Sequence, residues 1–180
     1  MKRTICAILA AATLTMGLIG CQKEAKKDGY TPVESKTCDF TISKPDSWEV
    51  GNTDGMIAIY NPKDISKANV TAFSFYLDSK EEVTSVEYWE TYKKLLSDTY
   101  GNLSGEKVKE EDFKGQKIAH AYYHIKIGEE DFKCETALLV YGGKVYVFTL
   151  TQGAKTEANA ENYNDHSDEF AEILKTFTPK

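Results

Sequence analysis

The stretch KIAHAYYHIKIGEEDFKCETALLVYGGKVYVFTLTQ, residues 117–152, decides the predicted fold. Apolar and polar side chains alternate over 117–127, a period of two that is typical of a β-strand. A turn leads into a second apolar strand at 132–141, and the hairpin signal Gly142-Gly143 joins it to a third at 144–152. The stretch therefore predicts a three-strand antiparallel meander. Its last strand is apolar on both faces and should be covered on both.

Two amphipathic helices and several shorter strands are predicted outside this stretch. Thr84-Ser85-Val86-Glu87 fits a capping box, and apolar residues then recur every three or four positions to about Tyr100, where Gly101 ends the helix. A second helix is predicted over 163–176. Two helices and a mainly antiparallel sheet predict an α+β fold, a three-layer α/β/α sandwich. The other predicted strands cover residues 40–43, 56–60, 70–77 and 105–113.

The N-terminus has the features of a secretory signal peptide in the usual order. Lys2 and Arg3 give a positive charge, and the apolar run over 4–18 is too short to span a bilayer comfortably. Leu18-Ile19-Gly20-Cys21 resembles a bacterial lipobox, a signal in which the cysteine is diacylated and the chain is cut before it. The resemblance implies a lipoprotein signal peptide over 1–20 and lipidation at Cys21. The alternative is an ordinary signal peptide that ends in a chance cysteine.

The rest of the chain is divided by composition into a tether and one domain. Residues 21–37 are predicted to be a flexible tether, because the segment is polar and has no apolar period. A single domain is predicted over 38–180, a natural size for one hydrophobic core. The expected location is the extracytoplasmic face of the cell membrane. Gln22 is not the aspartate that commonly signals inner-membrane retention, so an outer-membrane location is open in a cell with two membranes.

The net charge limits the classes of partner. The chain carries a formal charge of −6, and losing Lys2 and Arg3 with the signal peptide would make it −8. An acidic chain without a basic stripe argues against nucleic acid and against electrostatic docking on anionic lipid. The predicted partners are therefore the lipid bilayer, reached through acylated Cys21, and a protein.

Two cysteines remain in the predicted domain, Cys38 and Cys134. Because the exported compartment permits disulfides, a Cys38–Cys134 bridge is one hypothesis. The other is that both are separate buried thiols.

The face of the predicted strand that carries His120, Tyr122 and His124 is the candidate binding face. Four residues along a strand cover about 13 Å, whereas zinc–nitrogen bonds are about 2 Å long. The two histidines therefore cannot share one metal ion, and His166 could complete a site with only one of them. No metal site and no cofactor are predicted.

Catalytic motifs are not found in the sequence. There is no Gly-x-Ser-x-Gly elbow and no glycine-rich phosphate loop. The acidic runs at 110–112 and 129–131 lack the spacing and glycine of a calcium loop, which favours solvated turns. The sequence therefore predicts a protein that is not an enzyme.

Several short motifs are informative as an ordered set. They are Phe40-Thr41-Ile42 followed by Pro45 and Trp48, the helix around Tyr88-Trp89, the hairpin at 142–146, and the closing segment 170–177. In this order they resemble the PsbP-like (Mog1/PsbP) superfamily over about residues 38–178. The resemblance implies an α/β/α sandwich with a binding or assembly role, and it transfers no functional residue.

These observations lead to one expected function and two alternatives. The expected function is a membrane-anchored, extracytoplasmic, non-enzymatic binding or accessory module. The first alternative is a small extracytoplasmic hydrolase, which a cleft with His120 or His124 beside a carboxylate would support. The second is a solute-binding component of a transporter, which is less favoured because one predicted core lacks the usual two-lobed cleft.

Overall fold

A computed structural model describes residues 28–78 and 82–180. The two helices in these ranges are α1 (Ser85–Tyr100) and α2 (Ser167–Lys175). The strands are β1 (Tyr30–Val33), β2 (Phe40–Pro45), β3 (Glu49–Asn52), β4 (Ile57–Tyr60), β5 (Asn69–Tyr76), β6 (Ser104–Phe113), β7 (Gln116–Ile127), β8 (Glu130–Tyr141), β9 (Lys144–Gly153) and β10 (Thr178–Pro179).

Seven of the strands form the central sheet, in the order β3-β4-β5-β9-β8-β7-β6. The meander β7-β8-β9 is confirmed, with Tyr123 opposite Cys134 and Leu138 opposite Val147. Each pair of neighbouring strands is antiparallel. β9 lies in the middle, which agrees with the two apolar faces that its sequence has.

The sheet is covered differently on its two faces. α1 packs on β6, β7 and β8 on one face. On the other face lie α2 and a small sheet of order β1-β2-β10. The predicted three-layer α+β sandwich is confirmed in this form.

The alternation of side chains along the strands produces two separate cores. Ala119, Ala121 and Tyr123 of β7 point towards α1 and pack with Trp89. Ile118 belongs to the other cluster, which lies below α2 and the small sheet. That second cluster also contains Phe40, Ile42, Trp48, Val70, Phe148, Phe170, Ile173 and Phe177.

α1 begins and ends where the sequence predicts. The Thr84 hydroxyl accepts a hydrogen bond from the Glu87 amide at 3.2 Å, and the Glu87 carboxylate accepts one from the Thr84 amide at 2.9 Å. This pair satisfies amides that have no partner inside the helix. Gly101, with φ of 84°, ends the helix in a conformation that other residues rarely adopt.

Two predicted boundaries are wrong. Order begins at β1 rather than at Cys38, because Tyr30–Val33 pairs antiparallel with β2 and Val33 is buried. Residues 30–33 of the predicted tether therefore form a strand; Cys21, the signal peptide and tether residues 22–27 lie outside the described residues. α2 begins at Ser167 rather than near 163, after His166.

The predicted Cys38–Cys134 disulfide is not formed. Both thiols are free and buried, Cys38 in the cluster below the small sheet and Cys134 in the cluster below α1. The central sheet separates them, so the alternative of two separate buried thiols describes the structure. Burial raises the pKa of the Cys134 thiol to about 11, which makes it a poor nucleophile.

Both thiols are expected to react with an alkylating reagent after denaturation without a reductant, because neither is cross-linked. Peptide mapping should find the same adducts on Cys38 and Cys134 with and without prior reduction. Adducts that appear on this pair only after reduction would contradict the structure.

Residues 28–78 and 82–180 contain two helices, α1 and α2. Neither is long and apolar enough to cross a membrane.

Candidate functional site

The predicted binding face lies on the α2 side of β7, where its three side chains differ in exposure. His120 is buried, with 7% of its surface exposed, and its ring lies 6.5 Å from that of Phe170 in α2. Tyr122 is half-buried and stacks on His120, with ring centroids 4.7 Å apart. The His124 side chain is 40% exposed. Part of this face is therefore buried in the core, and His120 is not available to a ligand from solvent.

His120 is held between two carboxylates from the neighbouring strands. Its Nδ1 lies 2.8 Å from Glu111 Oε2 in β6, and its Nε2 lies 2.8 Å from Glu135 Oε1 in β8. Both carboxylates are diagonal neighbours, because Lys109 and Ala137 are the residues directly opposite His120. We call Glu111, His120, Glu135 and Tyr122 the His120 cluster.

The electrostatics of the cluster favour a protonated imidazole. Burial alone would lower the pKa of His120, but hydrogen bonds to Glu135 and Glu111, together with their charges, raise it above its ordinary value. The Glu135 side chain is only 3% exposed, and its Oε2 has no hydrogen-bond partner among the described residues. Burial and the same two carboxylates raise the pKa of Tyr122 to about 12, so its hydroxyl keeps its proton.

The other two histidines lie in separate places. His124 Nδ1 is 3.5 Å from Asp131, near the turn between β7 and β8. His166 is buried at the N-terminus of α2, with Nε2 3.3 Å from Asp64 and Nδ1 3.2 Å from Glu169. These partners differ from those of His120 and His124, so the three histidines do not share one site.

The residues over 28–78 and 82–180 contain no group of three or more histidine, cysteine or carboxylate side chains placed to hold a metal ion. In the His120 cluster the reason is geometric. The two carboxylates lie on opposite nitrogens of one ring, so a single ion could not contact both of them and the imidazole. What this arrangement can do is hold and transfer a proton.

Neither of two cavities in the described structure includes His120. One is an open depression of about 630 Å³ on the small sheet, lined in part by Ser35, Thr37 and Lys180. Two of its polar side chains, Ser35 and Lys180, are already used internally. Ser35 Oγ donates to the Thr53 carbonyl, and Lys180 Nζ donates to the Ser35 and Cys38 carbonyls. The other is a void of about 10 Å³ between apolar side chains near Ile118.

A more accessible feature lies where β5 ends. Tyr76 is 77% exposed, and the Lys144 ammonium lies 4.8 Å from the centre of its ring. Lys144 is in turn paired with Asp39, which accepts a hydrogen bond from Ser74 Oγ at 2.5 Å. A cation over an aromatic ring stabilises its orientation. This surface was not predicted from the sequence, because strand alternation places Tyr76 on the same face of β5 as Val70 and Ala72, which are buried.

Comparison with solved structures identifies the type of fold. The Saccharomyces cerevisiae Ran-binding protein Mog1p superposes with a TM-score of 0.60 at 11% identity, over 83% of this chain and 95% of Mog1p. The fold is similar to that of Mog1p. PA94, a Pseudomonas aeruginosa protein of unknown function, superposes with a TM-score of 0.50 at 15% identity, covering 84% of this chain and 97% of PA94.

A longer protein shares the same core. A Bacteroides thetaiotaomicron VPI-5482 protein superposes with a TM-score of 0.54 at 12% identity, over 84% of this chain. The present chain spans only 49% of that protein's length. No protein-family model and no curated protein matches the sequence. At these identities the likeness to Mog1p and to the other two proteins shows the fold alone.

Proposed function

We propose that this protein is an extracytoplasmic lipoprotein, anchored in the membrane through acylated Cys21, whose domain is a non-enzymatic binding or accessory module. The observation that carries the proposal against the hydrolase alternative is the burial of His120 with both ring nitrogens bonded to carboxylates. A general base needs a free nitrogen within reach of its substrate. Here both nitrogens are within hydrogen-bond distance of protein groups. Neither cavity described above is lined by His120 or by His124, whose carboxylate neighbour is Asp131.

The anchoring part of the proposal rests on the order of charge, apolar run, small residue and cysteine that ends at Cys21. Two acyl chains are enough for stable attachment. The acidic charge of the domain makes a lipid anchor the more reasonable means of attachment, since electrostatic adsorption to anionic lipid would be unfavourable.

The early start of β1 changes the geometry of the anchored protein. Only residues 22–29 separate Cys21 from Tyr30, the first residue of β1. At about 3.3–3.6 Å per residue the segment reaches at most about 30 Å. The domain is therefore proposed to work close to the bilayer, on partners at the membrane surface rather than on distant ones.

Tyr76 is the side chain best placed to contact such a partner. Tyrosine supplies a large, stiff contact area at low entropic cost and is enriched among residues that dominate binding energy. The Lys144–Asp39 pair holds it without covering it. A photoreactive residue at position 76 is expected to crosslink to a single membrane-associated protein in intact cells. The same residue at position 95, an exposed site on α1, should not do so.

Replacement of Cys21 by alanine is expected to abolish incorporation of an alkyne-labelled fatty acid, because the thiol that carries the lipid is removed. Cys6→Ala is the matched control, since Cys6 lies inside the apolar run and should leave labelling unchanged. Labelling is a sharper measure than membrane fractionation, because an uncut signal peptide could also hold the protein in the membrane. Full labelling of Cys21→Ala would overturn the anchoring proposal.

A further inference from the structure

The His120 cluster contains two carboxylate acceptors, whereas a neutral imidazole has only one N–H to donate. Glu111 and Glu135 each lie 2.8 Å from a different ring nitrogen, and both accept when ionised. Only the imidazolium has an N–H on each nitrogen. The observed geometry, with both contacts short, is therefore that of the protonated ring.

A third group competes for one of these nitrogens. The Tyr122 hydroxyl lies 3.4 Å from His120 Nδ1, the nitrogen that also faces Glu111. When the ring is protonated, Nδ1 donates to Glu111. When Nδ1 has lost its proton it becomes an acceptor, and the Tyr122 O–H can donate to it instead.

The two carboxylates differ in how easily they can be released. Glu135 is buried beneath α2, and the ring is the partner of its Oε1. Losing that contact would leave a buried charge without any compensation. The Glu111 side chain is 40% exposed on edge strand β6 and can turn to water. Deprotonation should therefore keep the Nε2–H bond to Glu135 and release Glu111.

We propose that the His120 cluster is a proton-operated clamp between edge strand β6 and buried strand β8. With His120 protonated, the ring bonds Glu111 and Glu135 at once. With His120 neutral, its Nδ1 exchanges Glu111 for the Tyr122 hydroxyl, and the β6 side of the clamp opens. The proton taken up or released is exchanged with solvent water, so no other reactant is needed.

The charged surroundings support this assignment. From β6 the facing groups are Glu111 and Lys109, whose ammonium lies 5.6 Å from the Tyr122 ring centre. From β8 they are Glu135 and Lys133, and Lys133 is bonded to Asp165 and Ser167. α2 contributes the uncharged ring of Phe170. On β7 itself the nearest titratable groups are Tyr122 and, farther along, the more exposed His124.

Both carboxylates thus act to retain the proton on His120. The hydrogen bonds and charges of Glu135 and Glu111 outweigh burial and raise its pKa above the ordinary value, so the clamp stays closed to a higher pH than a free imidazole would allow and opens as the pH rises through that pKa. A role in sensing the pH outside the cell would rest on the proposed extracytoplasmic location; the clamp itself does not.

The test is an NMR titration of the imidazole nitrogens in the full chain, solubilised in detergent. The sequence has three histidines, so replacing each in turn assigns the signals. Below the titration midpoint of His120 both nitrogens should carry protons, and above it only Nε2 should. A ring that keeps its proton on Nδ1 above the midpoint would overturn the proposal, because Glu111 would then stay bonded.

Three variants separate the clamp from a general charge effect. Glu111→Gln should lower the His120 midpoint by about one pH unit, because the protonated ring loses an ionised acceptor. Tyr122→Phe should raise it by roughly half a unit, because the neutral ring loses a donor. Glu110→Gln removes the same charge one residue away and should change the midpoint little. Equal shifts for Glu110→Gln and Glu111→Gln, or no rise for Tyr122→Phe, would refute the exchange. A failed lipid-labelling experiment would leave it intact.

Discussion

Replacement of Trp89 by alanine is expected to lower the free energy of unfolding by about 3–5 kcal/mol. Trp89 of α1 is fully buried against the central sheet, packs against the rings of Tyr92 and Tyr123, and donates from Nε1 to Glu106 at 3.0 Å. The substitution would leave a large cavity in the cluster below α1 and an acceptor without its donor. Chemical denaturation followed by far-ultraviolet circular dichroism measures the loss.

The matched control for Trp89 lies on the same helix. Leu95 is 59% exposed, so Leu95→Ala should change the free energy of unfolding by no more than about 0.5 kcal/mol. A comparable loss in the two variants would mean that burial against the sheet does not distinguish Trp89 from Leu95, because alanine is the better helix former at both positions. That outcome would contradict the packing described here.

Replacement of His120 by leucine is expected to cost about 3–5 kcal/mol at a pH below the folded pKa of His120, because Glu135 would keep its burial and lose its charged partner. The loss arises from an unpaired carboxylate rather than from lost volume. A second change, Glu135→Leu, should therefore restore much of the stability when added to His120→Leu. A double variant less stable than His120→Leu would contradict this explanation.

The same pair predicts the pH dependence of stability. The folded pKa of His120 is raised, so its stabilising contribution is fully present below its unfolded pKa of about 6.5 and is lost as the pH rises through the folded pKa. Stability should fall over that pH window in the natural protein. His120→Leu should lack this fall, whereas His124→Leu, which changes an exposed ring, should retain it.

The local sequence pattern was sufficient to predict the structure wherever residues close together in the chain determine it. The capping box at Thr84 and Glu87 and the stop at Gly101 depend on contacts within a few residues, so α1 could be placed from the sequence. The alternation over 117–127 likewise put His120, Tyr122 and His124 on one face. In these cases side-chain direction follows directly from the backbone period.

The local sequence pattern did not predict the structure where a segment contacts residues that are distant in the chain. β1 is a strand because β2 provides its hydrogen bonds, and nothing within the polar segment around Tyr30 indicates that. The even number of thiols allowed two hypotheses, a Cys38–Cys134 bridge and two separate buried thiols. The number of cysteines does not show on which side of the sheet each thiol lies.

The N-terminal signal and the stretch over 117–152 determined the proposed anchor, the meander and the face on which His120 lies. The tertiary structure alone decided what that face does, because β6 and β8 flank β7 and bring Glu111 and Glu135 to opposite nitrogens of one buried ring. Strand order and register depend on the packing of the whole core. A residue's face can therefore be derived from its own segment, but its depth and its charged neighbours cannot.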